Sequence, residues 1–303
     1  MQFKNAIIFL IIFVSANLFA GTHTLTLEND TLGGTDRHYT HGTRYSYVLD
    51  EPFKWTEKLF VDKDKTCSLA FAQYMYTPSD ISVSELMEDD RPYGGWLYTG
   101  FQLFARDDKY MDLIEIDIGV VGEDSYAEDV QKQIHEWSGS QEPMGWDNQI
   151  ETEPGFNVVY QKKYRLRYDG ILDFDFIPHT GACIGNVFTY ANLGALFRAG
   201  YNLPDDFGVQ RMEPTVRAKN NFRFYLFVDT DGRYVARNIF LDGNTFEDSH
   251  SVDKEDLVGD LSTGLGIGFK SFDLVYAYNY RTKEFEGQEE HNEFGSVILS
   301  WRL

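Results

Sequence analysis

The segment from Glu28 to Gly42, ENDTLGGTDRHYTHG, is unusually rich in side chains that hydrogen-bond, carry charge or exchange protons. It contains Asn29, Asp30 and Thr40, together with a second aspartate, an arginine and two histidines. Reversing a chain needs only one or two turn residues. A solvated surface loop and a functional loop are both consistent with this composition, and the rest of the chain decides between them.

A second group of reactive side chains lies in the segment SYAEDVQKQIHEW, residues 125–137. Gln131 and His135 are four residues apart, so in a helix they are neighbours on one face. A neutral histidine beside a water-excluding surface can take a proton from water for attack on an ester. No G-x-S-x-G motif is present, which favours a water activated by histidine over a serine nucleophile. A packing or surface role for His135 is the alternative.

The spacing within this segment predicts how the helix is held. Ser125 and Glu128 are three residues apart and predict a capping box at its start. Val130, Ile134 and Trp137 form an apolar stripe at helical spacing, and we expect that stripe to pack against neighbouring strands. Gln131 and His135 would then lie beside this packed stripe.

Carboxylates suited to a hard cation occur in the same regions as these reactive side chains. Oxygen ligands at Asp30, Asp36, Glu142 and Asp147 favour calcium over zinc. A bound calcium ion can polarise an ester carbonyl. Cys67 and Cys183 are the two cysteines, and their spacing suits no metal cluster. We expect them to be structural, with or without a bond between them.

Composition and charge indicate which kind of protein positions these residues. Residues 1–20 predict an export signal, with Lys4, the apolar run AIIFLIIFV and small residues at Ala16 and Ala20. The net charge is −21, and loss of Lys4 with the signal makes it −22, which excludes nucleic acid as a partner. With 19 tyrosines and 24 phenylalanines but no long apolar run after the signal, the chain resembles a membrane β-barrel in composition.

Alternation at period two supports an antiparallel barrel, although a soluble β-sandwich also alternates. In residues 261–269 and 272–280 large apolar residues fall on one face, and small or polar residues dominate the other. The pattern predicts about twelve strands, with 50–66 containing a short helix and 170–186 forming either a further strand or a periplasmic excursion. Tight connections are predicted on one side at 107–109, 230–231 and 270–271, and longer ones on the other at 29–38, 78–92, 121–153, 201–219, 242–257 and 284–291. Short turns on one side and long loops on the other are typical of outer-membrane barrels.

Four segments together resemble one known family over nearly the whole mature chain. They are ENDTLGGTDRHYTHG, DRPYGGWLY, QKQIHEWSGSQEPMGWDNQ and ARNIFLDGNTF, and they are similar to the outer-membrane lipid A 3′-O-deacylase family of LpxR type. The resemblance implies an all-β, twelve-stranded antiparallel outer-membrane barrel with a short helix in an extracellular loop. It also implies a calcium-dependent hydrolase that removes the 3′-linked acyloxyacyl chain of lipid A at the outer rim.

The resemblance assigns roles to individual residues of this sequence. Its catalytic group is His135 as the base that activates water, with Gln131, Asn29 as an oxyanion donor, and Thr40. Arg91, which precedes a predicted Pro-Tyr-Gly-Gly turn, and Tyr93 within that turn are the substrate contacts. Asp30 and Glu142 are the implied calcium ligands. Residues 1–20 would be the signal peptide, and residues 21–303 would form a monomeric barrel surrounded by outer-membrane lipids. The active site would face the extracellular leaflet of the outer membrane of a Gram-negative bacterium.

Two other functions remain open from the sequence. A phospholipase of the same membrane would use the same cleft chemistry on a different ester. A non-catalytic barrel, either an adhesin or a narrow channel, would leave the polar loop residues merely solvated.

Overall fold

The protein folds into a closed antiparallel β-barrel of twelve long strands. The computed structural model describes residues 21–30, 38–208 and 222–303, so the predicted signal 1–20 and Asp36 lie outside the described residues. Pairing of β1 with β13 and of β6 with β8 closes the barrel, while the three-residue β7 pairs only with β8. The predicted barrel with twelve strands is therefore confirmed. The strands are β1 (Gly21–Asn29), β2 (His38–Leu49), β3 (Asp64–Thr77), β4 (Gly94–Arg106), β5 (Tyr110–Val121), β6 (Glu153–Tyr164), β7 (Leu166–Tyr168), β8 (Asp173–Gly185), β9 (Phe188–Tyr201), β10 (Arg223–Asn238), β11 (Leu257–Phe269), β12 (Phe272–Arg281) and β13 (Asn292–Arg302).

Alternate residues of each strand point to the lumen and to the outer wall. Leu261, Leu265 and Ile267 of β11 are exposed on the outer wall, as are Phe272 and Leu274 of β12, which agrees with the predicted apolar face. Polar side chains such as Glu28 and Arg44 point inward and are buried. An apolar outer wall around a polar lumen is the arrangement of a membrane barrel. Among the described residues, no helix combines the length and hydropathy needed to cross a membrane.

The two ends of the barrel differ, and we call them the terminal end and the loop end. Gly21 and Leu303 lie at the terminal end, where the backbone amide of Leu303 donates to the oxygen of Gly21 at 3.2 Å. Two predicted connections were wrong. Residues 230–231 lie inside β10, and β9 ends with Tyr201 at the terminal end, so the loop predicted from residue 201 onward starts at the terminal end and not at the loop end. The cause is that residues 173–185 form β8, so a tight turn at 186–187 lies at the loop end instead.

Residues 202–208 fold back into the lumen and seal the terminal end. Leu203 and Phe207 are buried in a cluster with lumen-facing residues of the surrounding strands. Nη1 of Arg198 donates to Oδ1 of Asp206 at 2.6 Å, which fixes the segment to β9.

The predicted short helix in 50–66 is present as a 3₁₀ turn, Lys54–Lys58.

A four-residue helix, α2 (Ile239–Asp242), seals the loop end. Its residues Ile239, Phe240 and Leu241 are buried, and the Phe240 ring stacks on Tyr76 with 4.2 Å between centroids. Asn238 caps this helix, because its Oδ1 accepts a hydrogen bond from the amide of Phe240 at 3.1 Å. The segment ARNIFLDGNTF is thus explained as an inward-folding lid. A cavity of about 260 Å³, lined by aromatic side chains and by ionisable ones such as Arg44, Glu115 and Asp117, remains inside the barrel.

Candidate active site

The loop helix α1 (Ala127–Ser138) packs against the outer wall of β3 and β4 at the loop end. The side-chain amide of Gln73 on β3 donates to the backbone oxygen of Ser125 at 2.6 Å. A Cβ placed on Gly95 of β4 would lie 2.3 Å from the Cβ of Ala127, so only glycine allows this approach. Gly94 faces the lumen and allows a close contact there, because an added Cβ would lie 2.7 Å from the ring of Phe240. The predicted turn at Gly94 and Gly95 is therefore wrong, since both residues begin β4.

Both the N-terminal cap of α1 and the side of α1 that packs on the wall differ from the sequence prediction. Tyr126 precedes it in a left-handed conformation with φ 57° and provides no side-chain cap. The hydroxyl of Ser125 donates instead to the backbone oxygen of Gly122 at 2.6 Å, so the predicted capping box is wrong. Of the predicted wall-packing stripe, only Val130 packs against the buried cluster of Met75, Tyr93, Ala127 and Trp146. The prediction is wrong for the other two residues, because Ile134 is 40% and Trp137 68% exposed.

Gln131 and His135 themselves point toward the barrel wall. With Ala127 they form a buried stripe at four-residue spacing, and His135 is only 9% exposed. Nδ1 of His135 contacts the backbone oxygen of Gln141. A carbonyl oxygen only accepts, so Nδ1 carries a proton, and in the neutral imidazole the lone pair lies on Nε2. This assignment of the tautomer follows from the hydrogen-bond partner, and it gives the imidazole the form of a general base.

A chain of aromatic contacts orients Gln131. Nε1 of Trp146 donates to Oε1 of Gln131 at 2.8 Å, and an indole nitrogen can only donate. The amide Nε2 must therefore point away from Trp146, and within the described residues it is buried with no acceptor. Tyr93 supports the indole, with 4.8 Å between the ring centroids, and its hydroxyl donates to Ile81 at 3.3 Å. Tyr93 thus lies in the packing behind Gln131.

Asn29 and Thr40 lie together where β1 and β2 meet the loop end. Nδ2 of Asn29 donates to the backbone oxygen of Thr40 at 3.1 Å. A register shift between Tyr39 and His41 makes Thr40 a β-bulge, and bulges re-aim side chains. The Oγ1 atoms of Thr40 and Thr77 are 2.7 Å apart. Thr40 is thereby joined to β3, the strand that also carries α1.

His41 was not assigned a role from the sequence and lies beside this pair. Its Cα is opposite that of Asn29 in the β1–β2 register, and its Nε2 is 2.6 Å from Oγ1 of Thr43. A hairpin with residues 30–37 as its loop would pair Asn29 with His38, so sequence spacing alone did not single out His41.

Arg91 is fully buried in the mouth of the lumen. Its guanidinium lies 5.1 Å from the ring centroid of Tyr76 and 5.7 Å from that of Phe285, and Nη1 is 3.5 Å from Oε2 of Glu284. Burial would raise the pKa of Glu284, but Arg281 and Arg91 together lower it to about 2. The structure therefore places Arg91 among lumen residues, away from Gln131 and His135.

The predicted calcium ligands are placed in different environments. Asp30 is buried at 1% exposure, whereas Glu142 is exposed. Across residues 21–30, 38–208 and 222–303, no three or more histidine, cysteine, aspartate or glutamate side chains are grouped as a metal site. Asp36 is not among the described residues. Cys67 and Cys183 are buried free thiols.

Fold and site together define an outer-membrane β-barrel with a histidine-bearing helix on its outer wall. The family model of outer membrane protein LpxR matches residues 6–303. This chain therefore belongs to the LpxR family, and its location is the outer membrane of a Gram-negative bacterium.

Solved structures agree with this fold. LpxR from Salmonella typhimurium matches with a TM-score of 0.80 and 22% identity, covering 93% of this chain and 100% of that chain. The β domain of the Bordetella autotransporter BrkA matches with a TM-score of 0.48 and 8% identity, covering 94% of this chain and 100% of that chain. The second likeness is too weak for any argument. A search among curated proteins finds no match.

Proposed function

We propose that this protein is an outer-membrane esterase that removes the 3′-linked acyloxyacyl chain of lipid A from the extracellular leaflet. Family membership supports the class of substrate. The observation that carries the chemistry is the hydrogen bond from Nδ1 of His135 to Gln141, because it leaves Nε2 as the proton acceptor. The amide Nε2 of Gln131, one helical turn away, is a donor without a partner among the described residues.

The reaction is an ester hydrolysis in two steps. Nε2 of His135 takes a proton from water while the water oxygen bonds to the ester carbonyl carbon. Nε2 of Gln131 donates to the oxyanion that forms, with Asn29 as a further donor implied by the family resemblance. When the carbonyl re-forms, the bond to the sugar oxygen breaks and the imidazolium returns its proton to that oxygen. The products are a free acyloxyacyl acid and a lipid A hydroxyl.

Calcium belongs to this proposal through the family resemblance. Asp30 and Glu142 are the candidate ligands, and a bound calcium ion would polarise the ester carbonyl. None of the proton transfers above depends on the ion. Thr40 positions Asn29 through the contacts between β1 and β2. Arg91 and Tyr93 are buried at 0% and 2% exposure, so we assign both to packing and not to substrate contact.

Mass spectrometry of lipid A tests the proposal. Purified protein is incubated separately with lipid A and with phospholipid, in calcium and in chelator. We expect lipid A alone to lose one acyloxyacyl unit, in calcium only. Hydrolysis of phospholipid alone would reassign the enzyme as a phospholipase, and folded protein that leaves lipid A intact in calcium would refute the proposal.

The non-catalytic channel is the weaker alternative, because Phe207 lies in the lumen near the terminal end and Phe240 near the loop end. Planar-bilayer conductance distinguishes the two, since an esterase with a sealed lumen should conduct no ions.

A further inference from the structure

The loop helix α1 has three distinct flanks around its axis. At 3.6 residues per turn, the wall stripe of Ala127, Gln131 and His135 has Val130, Ile134 and Trp137 on one side. Val130 is partly buried against the cluster that contains Ala127 and Trp146, so we call the exposed pair Ile134 and Trp137 the apolar flank. On the other side lies a charged flank, where Nζ of Lys132 is 2.6 Å from Oε1 of Glu128. A helix exposed only to water has no need of an apolar flank, whereas a helix at a membrane surface does.

The helix that carries the apolar flank begins at the edge of the lipid-facing surface of the barrel. On β3, Leu69 and Phe71 are 44% and 41% exposed on the outer wall. Gln73, two residues further toward the loop end, already hydrogen-bonds to the segment that begins α1. Two strand residues span about 7 Å, so the helix begins where the open apolar wall ends. Trp137 is 68% exposed, and tryptophan is the residue type enriched at membrane interfaces.

We propose that the apolar flank of α1 is inserted into the outer leaflet, at the boundary between head groups and acyl chains. The charged flank then faces water, and the wall stripe stays against the barrel. The occupant of the flank is lipid, because the helix that carries it begins at the edge of the lipid-facing wall. If the proposed function is right, an acyl chain of the substrate reaches His135 from the membrane along this flank without leaving the leaflet.

Fluorescence quenching tests the insertion and needs no activity. The full-length protein is refolded into vesicles of plain or acyl-brominated lipid, and the wild type is compared with Trp137→Phe. The difference between the two reports Trp137 among the five tryptophans. We expect this component to be quenched by brominated lipid and protected from aqueous iodide. Quenching by iodide and not by lipid would overturn the proposal, and so would protection from both together with a dimer in solution.

A kinetic test addresses the route of the substrate. The double variant Ile134→Asn, Trp137→Ser should raise KM for lipid A in vesicles by about tenfold or more. It should leave kcat for detergent-dispersed lipid A unchanged, because both side chains are exposed, at 40% and 68%, and neither belongs to the wall stripe. The matched control is Gln133→Ser, a partly exposed residue outside the apolar flank, which should change neither value. If the quenching result holds and no lipid A is hydrolysed, insertion stands and the proposed function fails.

Discussion

Replacing Gly95 with alanine tests whether close packing of α1 on the wall sets the catalytic geometry. The added Cβ would lie 2.1 Å from Oγ of Ser125 and 2.3 Å from Cβ of Ala127, against 3.4–4 Å for ordinary contact. The start of the helix must therefore retreat by more than about 1 Å. Misplacement of catalytic groups by about 1 Å can cost about 100-fold in rate. Overpacking of this kind costs about 1–3 kcal/mol, which the strand pairs of the barrel should withstand.

The assay for Gly95→Ala is turnover of lipid A, with barrel folding followed by heat-modifiable gel mobility. We expect a folded barrel with kcat reduced about 100-fold. Gly232→Ala on β10 is the matched control, because its Cβ would meet nothing closer than 3.8 Å, and it should keep full activity. Adding Ala127→Gly to Gly95→Ala removes one of the two clashes and should restore part of the rate. A folded Gly95→Ala protein with more than half of wild-type activity would show that the close contact does not govern catalysis.

Three further predictions follow from the site. His135→Ala and His135→Gln should each lower kcat by about 10²–10⁴-fold with the barrel folded, because neither can accept the proton; near-normal turnover of either would place the base elsewhere. Trp146→Phe removes the donor that orients Gln131 and should lower kcat about tenfold or more with KM unchanged, whereas a change confined to KM would contradict an oxyanion role. The pKa of Glu284 is about 2, below its ordinary value of 4.5. The ionised carboxylate therefore stabilises the folded barrel above pH 4.5, and this stabilisation is lost as the pH falls toward 2. Glu284→Gln should flatten the fall in melting temperature between pH 5 and 3, measured by heat-modifiable mobility. An unchanged slope would show that the ion pairs of Glu284 with Arg91 and Arg281 are not the source of that fall.

Local periodicity was sufficient to predict the strands but not every connection between them. The outward face of β11 follows from alternation alone, and the adjacency of Gln131 and His135 follows from their four-residue spacing on a helix. The segment Asp229–Gly232 has the composition of a turn, yet it lies in the middle of β10. Inside the lumen, Oδ2 of Asp231 is 3.1 Å from Nε2 of His179. A partner 52 residues away makes a charged strand interior acceptable, and sequence spacing cannot reveal it.

The turn predicted at the glycine pair before Trp96 was wrong for a related reason. Consecutive glycines usually indicate a turn, but Gly94 and Gly95 each permit a close contact on a different face of the same strand. Their function depends on α1 and α2, which come from two loops far apart in the chain. The orientation of α1 was mispredicted because its wall contact uses Ala127, a small residue that apolar periodicity does not emphasise.

The seals at 202–208 and at α2 have a consequence for the cell envelope. A barrel of this size left open would leak small solutes and raise the cell's sensitivity to toxic compounds in its surroundings. Here both closing segments belong to connections between strands of the same chain, so no separate subunit is required to close the lumen. The cell can therefore carry many copies of this protein while its permeability barrier stays intact.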